Sequence, residues 1–195
     1  MKTLIKLSGL LLFLLVGCTL DQGMDELNAP ALTKSKDQVE LQAQEPKTVT
    51  VAWKCEFASD PDRSLSPLQC NPLPASMFIG GGGWVRGNAT HLGKVNQAES
   101  HYINTGCDLN PVLMQLTGWV EGKITGANGD YFYYSGFAVT QLPEGTFEGD
   151  IVMDDGTGKF EGGKGAVYMI GSIDFTTGIM TWKGEGTVTL VVGKR

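Results

Sequence analysis

The chain has 195 residues, 42% of them hydrophobic, with 15 basic and 21 acidic side chains and a formal net charge of −6. The length suits one domain with a terminal extension. The acidic balance and the lack of any basic stripe argue against nucleic acid, and against an anionic membrane surface held by charge.

Lys2 and Lys6 open the chain, an apolar run from Leu7 to Val16 follows, and the small Gly17 precedes Cys18. This is the layout of a bacterial secretory signal. The run falls short of the roughly 20 residues that span a bilayer. Leu15-Val16-Gly17-Cys18 resembles the lipobox of bacterial lipoproteins. The resemblance implies cleavage before Cys18 and a diacylglycerol on its thiol, an anchor that two acyl chains hold stably. It implies an outer-membrane protein that faces the periplasm or the cell exterior. Removing residues 1–17 takes away two lysines and leaves 178 residues, with 13 basic side chains against 21 acidic and a balance of −8.

Residues 18–46 contain no aromatic residue and are rich in Asp, Glu, Gln, Lys and Ala. Such a segment buries too little apolar surface to offset its ordering entropy. It is expected to be a tether with a reach of about 30 Å. A short helix around Lys36–Gln44 is the alternative, without a clear apolar stripe. Asp21, Asp25 and Glu26 resemble a surface-export signal, or are ordinary linker charge. Thr19 after the cysteine fits outer-membrane sorting.

From Lys47 to Arg195 the pattern predicts one all-β domain. Twenty-four of the 27 glycines lie at or after Gly80. Beta-branched and aromatic residues alternate with polar ones between turn signals. Eight strands are expected: Thr48–Phe57, Ser76–Arg86, Thr90–Tyr102, Leu113–Thr125, Tyr131–Thr140, Gly145–Met153, Gly165–Phe175 and Ile179–Val191. Asn128-Gly129 suits a tight hairpin, and Thr176-Thr177-Gly178 joins the last two strands in the same way. Met180, Trp182, Gly184, Gly186, Val188 and Leu190 share one face. Glycine inside strands weakens a sheet unless sharp curvature requires it. Its recurrence at Gly118, Gly122, Gly136, Gly149, Gly171, Gly184 and Gly186 favours a closed eight-stranded antiparallel β-barrel over a two-sheet sandwich.

Cys55 ends an alternating apolar run and is expected to face the core. Cys70 and Cys107 are read in polar loops. In an oxidising compartment three thiols leave one disulfide and one spare thiol. Cys70–Cys107 is the favoured pair, with Cys55–Cys70 and Cys55–Cys107 the alternatives. No C-x-x-C occurs, so neither a metal nor a cofactor is expected.

Gly156-Thr157-Gly158-Lys159-Phe160-Glu161-Gly162-Gly163-Lys164-Gly165 is the most distinctive local string. It lacks the Gly-Lys-Ser/Thr ending of a phosphate-binding loop. Its Gly-Thr-Gly-aromatic core, followed by a strand–turn–strand pair, resembles allene oxide cyclases, dirigent proteins and their bacterial barrel relatives. Asn88–Lys94 and Ala127–Asp130 look like motifs of the same bacterial group. The resemblance covers roughly residues 76–190. It implies a barrel in which Gly156, Gly158, Phe160, Gly162 and Gly165 shape a bend at one end. It implies homo-oligomers, and it transfers no catalytic residue.

The remaining candidates are weighed individually. His91 and His101 are read on one strand, too far apart to share a metal. Asp154-Asp155 is either a Ca²⁺ site or a solvated turn, the turn favoured. No Gly-x-Ser-x-Gly elbow occurs. At most two of Tyr131-Phe132-Tyr133-Tyr134 can point inward. Trp53, Trp119, Trp182 and Tyr133 are the candidates to line a ligand cavity. The leading expectation is a lipid-anchored, non-catalytic module that binds a small apolar ligand or a protein partner. An isomerase- or cyclase-type enzyme and a structural oligomeric lipoprotein are the alternatives.

Overall fold

A computed structural model of the protein describes residues 47–71 and 77–193. The signal-like segment, Cys18, the tether and the helix considered over Lys36–Gln44 lie outside the described residues. The chain runs through β1 (Lys47–Pro61), β2 (Leu68–Gln69), β3 (Phe78–Ile79), β4 (Gly82–Ala89), β5 (Gly93–Lys94) and β6 (His101–Asn110). It continues through β7 (Gln115–Thr125), β8 (Tyr131–Gln141), β9 (Thr146–Gly156), β10 (Lys164–Ile173) and β11 (Met180–Val192). Single 3₁₀ turns at Gln97–Glu99 and Gly158–Phe160 are the helical structure among the described residues.

The long strands pair in the order β1-β11-β10-β9-β8-β7-β6-β4, and β4 pairs back onto β1. Eight antiparallel strands therefore close a ring, as the glycine pattern predicts. The closure depends on the length of β1. Its 15 residues pair with β11 from Lys47 to Ser59 and with β4 from Cys55 to Pro61. One strand thus satisfies both neighbours where its halves overlap, and no edge is left bare there.

The inward glycines permit the curvature. A Cβ at Gly186 would come within 2.0 Å of the Ala166 carbonyl oxygen, and one at Gly149 within 2.0 Å of that of Phe137. The strands coil so tightly at these points that only a hydrogen fits between them.

One end of the barrel is plugged by aromatic side chains. Trp53 and Phe160 are each 1% exposed. Trp53 meets Phe132 edge-on at 5.4 Å and Phe160 at 6.2 Å, and Phe132 lies 5.5 Å from Phe160. Such contacts add to the area that the three rings bury. A second cluster, of Cys70, Cys107 and Leu116 with Leu68, Met77 and Ile79 against it, lies under the β2–β3 ribbon.

Two sequence expectations are corrected. The expected strand Thr90–Tyr102 is instead a turn at His91 (φ 64), the two-residue β5 and a 3₁₀ turn. The strand proper begins at His101, so the two histidines do not share one. Its pattern is masked because Asn104 faces the interior and the register shift between Asn104 and Gly106 then breaks the alternation. Cys107 consequently sits in β6 and not in a loop. The expected Ser76–Arg86 strand breaks at Gly80-Gly81 into β3 and β4.

Candidate functional site

Alternation along each strand decides what the barrel encloses. On β8, Phe132 and Tyr134 are buried, whereas Tyr133 is half exposed. On β7, Gly118 and Val120 line the interior, and Trp119 between them faces out with 39% exposure. Trp53 and Trp182 face in. Of the four candidate lining residues, the structure therefore brings Trp53 and Trp182 together and places Trp119 and Tyr133 on the outer surface. Side chains one position apart on a strand point to opposite faces. An aromatic next to a strongly inward residue, such as Tyr133 beside Tyr134, is thus directed outward.

The inward glycines leave space between the larger residues. A cavity of about 230 Å³, partly open, remains in the barrel, with Ile79, Gly80 and Gly178 among its lining. Its walls are apolar: Phe57, Ile151, Met153, Val167, Met169 and Trp182 are representative. Phe57 and Trp182 meet edge-on at 5.8 Å. Tyr102, Asn104, Tyr134 and Thr140 bring polar atoms to it. Among the described residues no carboxylate, histidine, lysine or arginine lines it.

The two phenols are held neutral by their surroundings. Burial pushes Tyr134 far above the usual tyrosine range, and the nearby Tyr102 reinforces the shift. Burial also raises Tyr102, opposed by the neighbouring Ser59 hydroxyl. Ser59 Oγ is itself wholly buried and forms no hydrogen bond of regular geometry, so its influence on Tyr102 reflects proximity. Cys55 lies in the cavity wall as a free thiol. Burial pushes it up to about 11, which keeps it a small hydrophobe.

The glycine-rich string closes the plugged end. Asp155 Oδ1 accepts hydrogen bonds from the backbone N–H of Gly156 at 2.7 Å and of Gly162 at 2.8 Å, and these hold its carboxyl below the usual range. The loop is thereby clasped, and Phe160 is directed into the barrel. Gly158 (φ 59) and Gly162 (φ 66) adopt the left-handed conformation. A Cβ at Gly158 would also come within 2.1 Å of the Asp130 carboxylate. Asp155 is therefore a structural clasp that the sequence does not single out, its neighbour Asp154 being the same residue type. No cluster of metal-ligating side chains forms among the described residues.

At the other end Cys70 and Cys107 form a disulfide, with Cα atoms 4.6 Å apart and a sequence separation of 37. It fastens the β2–β3 ribbon to β6. Ile79 of that ribbon contributes to the cavity wall, so the disulfide fixes part of that wall. His101 Nε2 lies 3.1 Å from Asp62 Oδ2, outside the cavity lining.

A larger, open depression of about 780 Å³ crosses β8 to β11 and β1 on the outside, where Glu56 and Lys183 pair at 3.0 Å. Exposed charged side chains border it, so water competes with any ligand there. The enclosed, apolar interior is the better candidate site.

Neither a protein-family model nor a curated protein matches the chain. Among solved structures it is similar to the pterocarpan synthase dirigent protein GePTS1, at 16% identity and a TM-score of 0.40, over 75% of this chain and 93% of that one. The eight-stranded barrel stands on this chain's own strand pairings.

Proposed function

We propose that this protein is a lipid-anchored binding module of the bacterial outer membrane, facing the periplasm or the exterior, which holds a small apolar molecule in its barrel. The observation that carries the reading is the half-open 230 Å³ cavity with apolar walls and no charged lining among the described residues. An empty cavity lined this way is an energetic cost unless something fills it. The lipid anchor rests on Leu15-Val16-Gly17-Cys18 and the basic, then apolar, run before it. An isomerase- or cyclase-type enzyme remains the alternative and would have to operate with phenol, amide and hydroxyl groups.

A specific observation favours a second reading, docking onto another copy. Ile103, Trp119, Phe137, Val152 and Ile170 are all exposed on β6 to β10, and Trp119 and Phe137 sit directly opposite one another. Contiguous exposed apolar residues mark interaction surfaces.

Native mass spectrometry of the protein purified from its own host separates these readings. A reproducible extra mass per chain, lost on denaturation, supports the ligand. A bare mass at a fixed multiple of the chain supports docking. Cys18→Ala is expected to leave the protein unprocessed or soluble in cell fractionation, and retention of that variant in the membrane would sink the anchor.

A further inference from the structure

The cavity's polar groups are not scattered. Tyr134 on β8, Gly122 on β7, Tyr102 on β6 and Gly83 on β4 are successive partners in register. A Cβ at Gly122 would come within 2.9 Å of the hydroxyl-bearing ring carbon of Tyr134. A Cβ at Gly83 would come within 3.0 Å of Tyr102 Oη. Each phenol therefore lies over the glycine of the next strand, and both lean the same way around the barrel wall. On β1 the line reaches Pro61, whereas the wholly buried Ser59, a neighbour of Tyr102, does not line the cavity. The two phenols thus form a short belt along one stretch of a largely apolar wall.

The belt is short of partners. Tyr134 is 9% exposed, and its Oη has no hydrogen-bond partner among the described residues. The other polar groups do not satisfy it. Asn104 donates to the Gly80 carbonyl at 2.6 Å. Thr140 sits at a different level of the barrel, paired with Leu116 and Phe147. In an apolar chamber a ligand group that accepts the Tyr134 proton supplies the partner this hydroxyl lacks. A charged acceptor is disfavoured, because no cation lines the chamber to offset its desolvation.

We infer that the belt of Tyr134 and Tyr102 hydroxyls is a built anchor for one neutral acceptor oxygen, so that the cavity selects a compact apolar molecule carrying a single carbonyl-type oxygen. This rests on the cavity-binding reading above. A 150 Å³ apolar cavity holds benzene, so by proportion the chamber takes about nine non-hydrogen atoms. The hydrocarbon remainder contacts the apolar wall, which includes Met169 and Trp182.

Acetophenone and α-methylstyrene test this, since they share shape and differ by a carbonyl oxygen against a methylene. Their binding to the full-length protein is followed through the NMR methyl signals of Met153, Met169 and Met180, which line the cavity. In Tyr134→Phe the ratio of acetophenone to α-methylstyrene affinity is expected to fall about tenfold, with α-methylstyrene affinity retained. Tyr102→Phe serves as the second variant should Tyr134→Phe fail to fold. A ratio unchanged by either substitution, with both probes bound, overturns the anchor and leaves the cavity reading standing. If neither probe shifts the three methyls in the unsubstituted protein, the cavity reading falls and the anchor with it.

Discussion

Phe160 shows how much depends on one side chain delivered by a loop. It is 1% exposed and meets both Trp53 and Phe132. Trp53 and Phe132 reach this end from β1 and β8, and Phe160 joins them from the turn that follows β9. The loop's conformation depends in turn on the Asp155 clasp and on glycines in the left-handed region. Phe160→Ala removes the plug without touching a strand. A loss of about 3–5 kcal/mol in urea denaturation is expected, with far-ultraviolet circular dichroism preserved. A loss below about 1 kcal/mol would mean that the ring does not close the core. The string's glycines and its aromatic residue are legible in sequence as a bend at a barrel end. The clasp is not, because Asp154 and Asp155 look alike until the backbone N–H groups of Gly156 and Gly162 converge on one of them.

Among the elements, the β2–β3 ribbon depends most on a covalent link. Each of its strands has only two residues, too few to persist by pairing alone. The Cys70–Cys107 bond restrains it across 37 residues of sequence. In the chain-entropy account such a loop is worth about 4 kcal/mol. The double variant Cys70→Ser/Cys107→Ser is expected to lose about 2–4 kcal/mol of unfolding free energy. Its ribbon amides are expected to exchange with solvent well before those of β8 to β11. Uniform exchange across both regions would contradict this. The pairing was legible as the favoured one of three because Cys55 lies in a strongly alternating strand. The strand around Cys107 was hidden, since Asn104 occupies an inward position and the bulge after it breaks the alternation.

For the whole molecule, titration links burial to stability at both ends of the pH scale. The hydrogen bonds of Arg86 to Asp60, of Gly162 to Asp155 and of Thr176 to Asp174 hold these carboxyls below their ordinary value. Their folded pKa values lie below the unfolded ones. Their contribution is therefore full above the ordinary carboxylate value of about 3.9 and is lost as pH falls through it. Cys55, Tyr102 and Tyr134 are acids raised by burial. Their contribution is full below the unfolded pKa and is lost as pH rises through it. That loss begins near the ordinary thiol value of 9.0 and continues through the tyrosine value of about 10. Denaturant midpoints measured from about pH 3 to about pH 11 are expected to form a plateau that falls on both sides. Tyr134→Phe is expected to flatten the alkaline limb. An unchanged limb would show that this phenol is not held neutral by the fold.

Strand alternation and in-strand glycine are local properties of a chain, and they were enough to specify an all-β domain from Lys47, its closure into eight strands, the inward Cys55 and the division of Tyr131–Tyr134 between two faces. They could not place Trp119 and Tyr133 outside, locate the β6 strand, identify Asp155, or bring Tyr134 and Tyr102 together on one cavity wall. Those outcomes depend on register between strands distant in sequence, on bulges that shift the period, and on side chains that lean over a neighbouring glycine. Only closure of the ring determines which residues stand opposite one another.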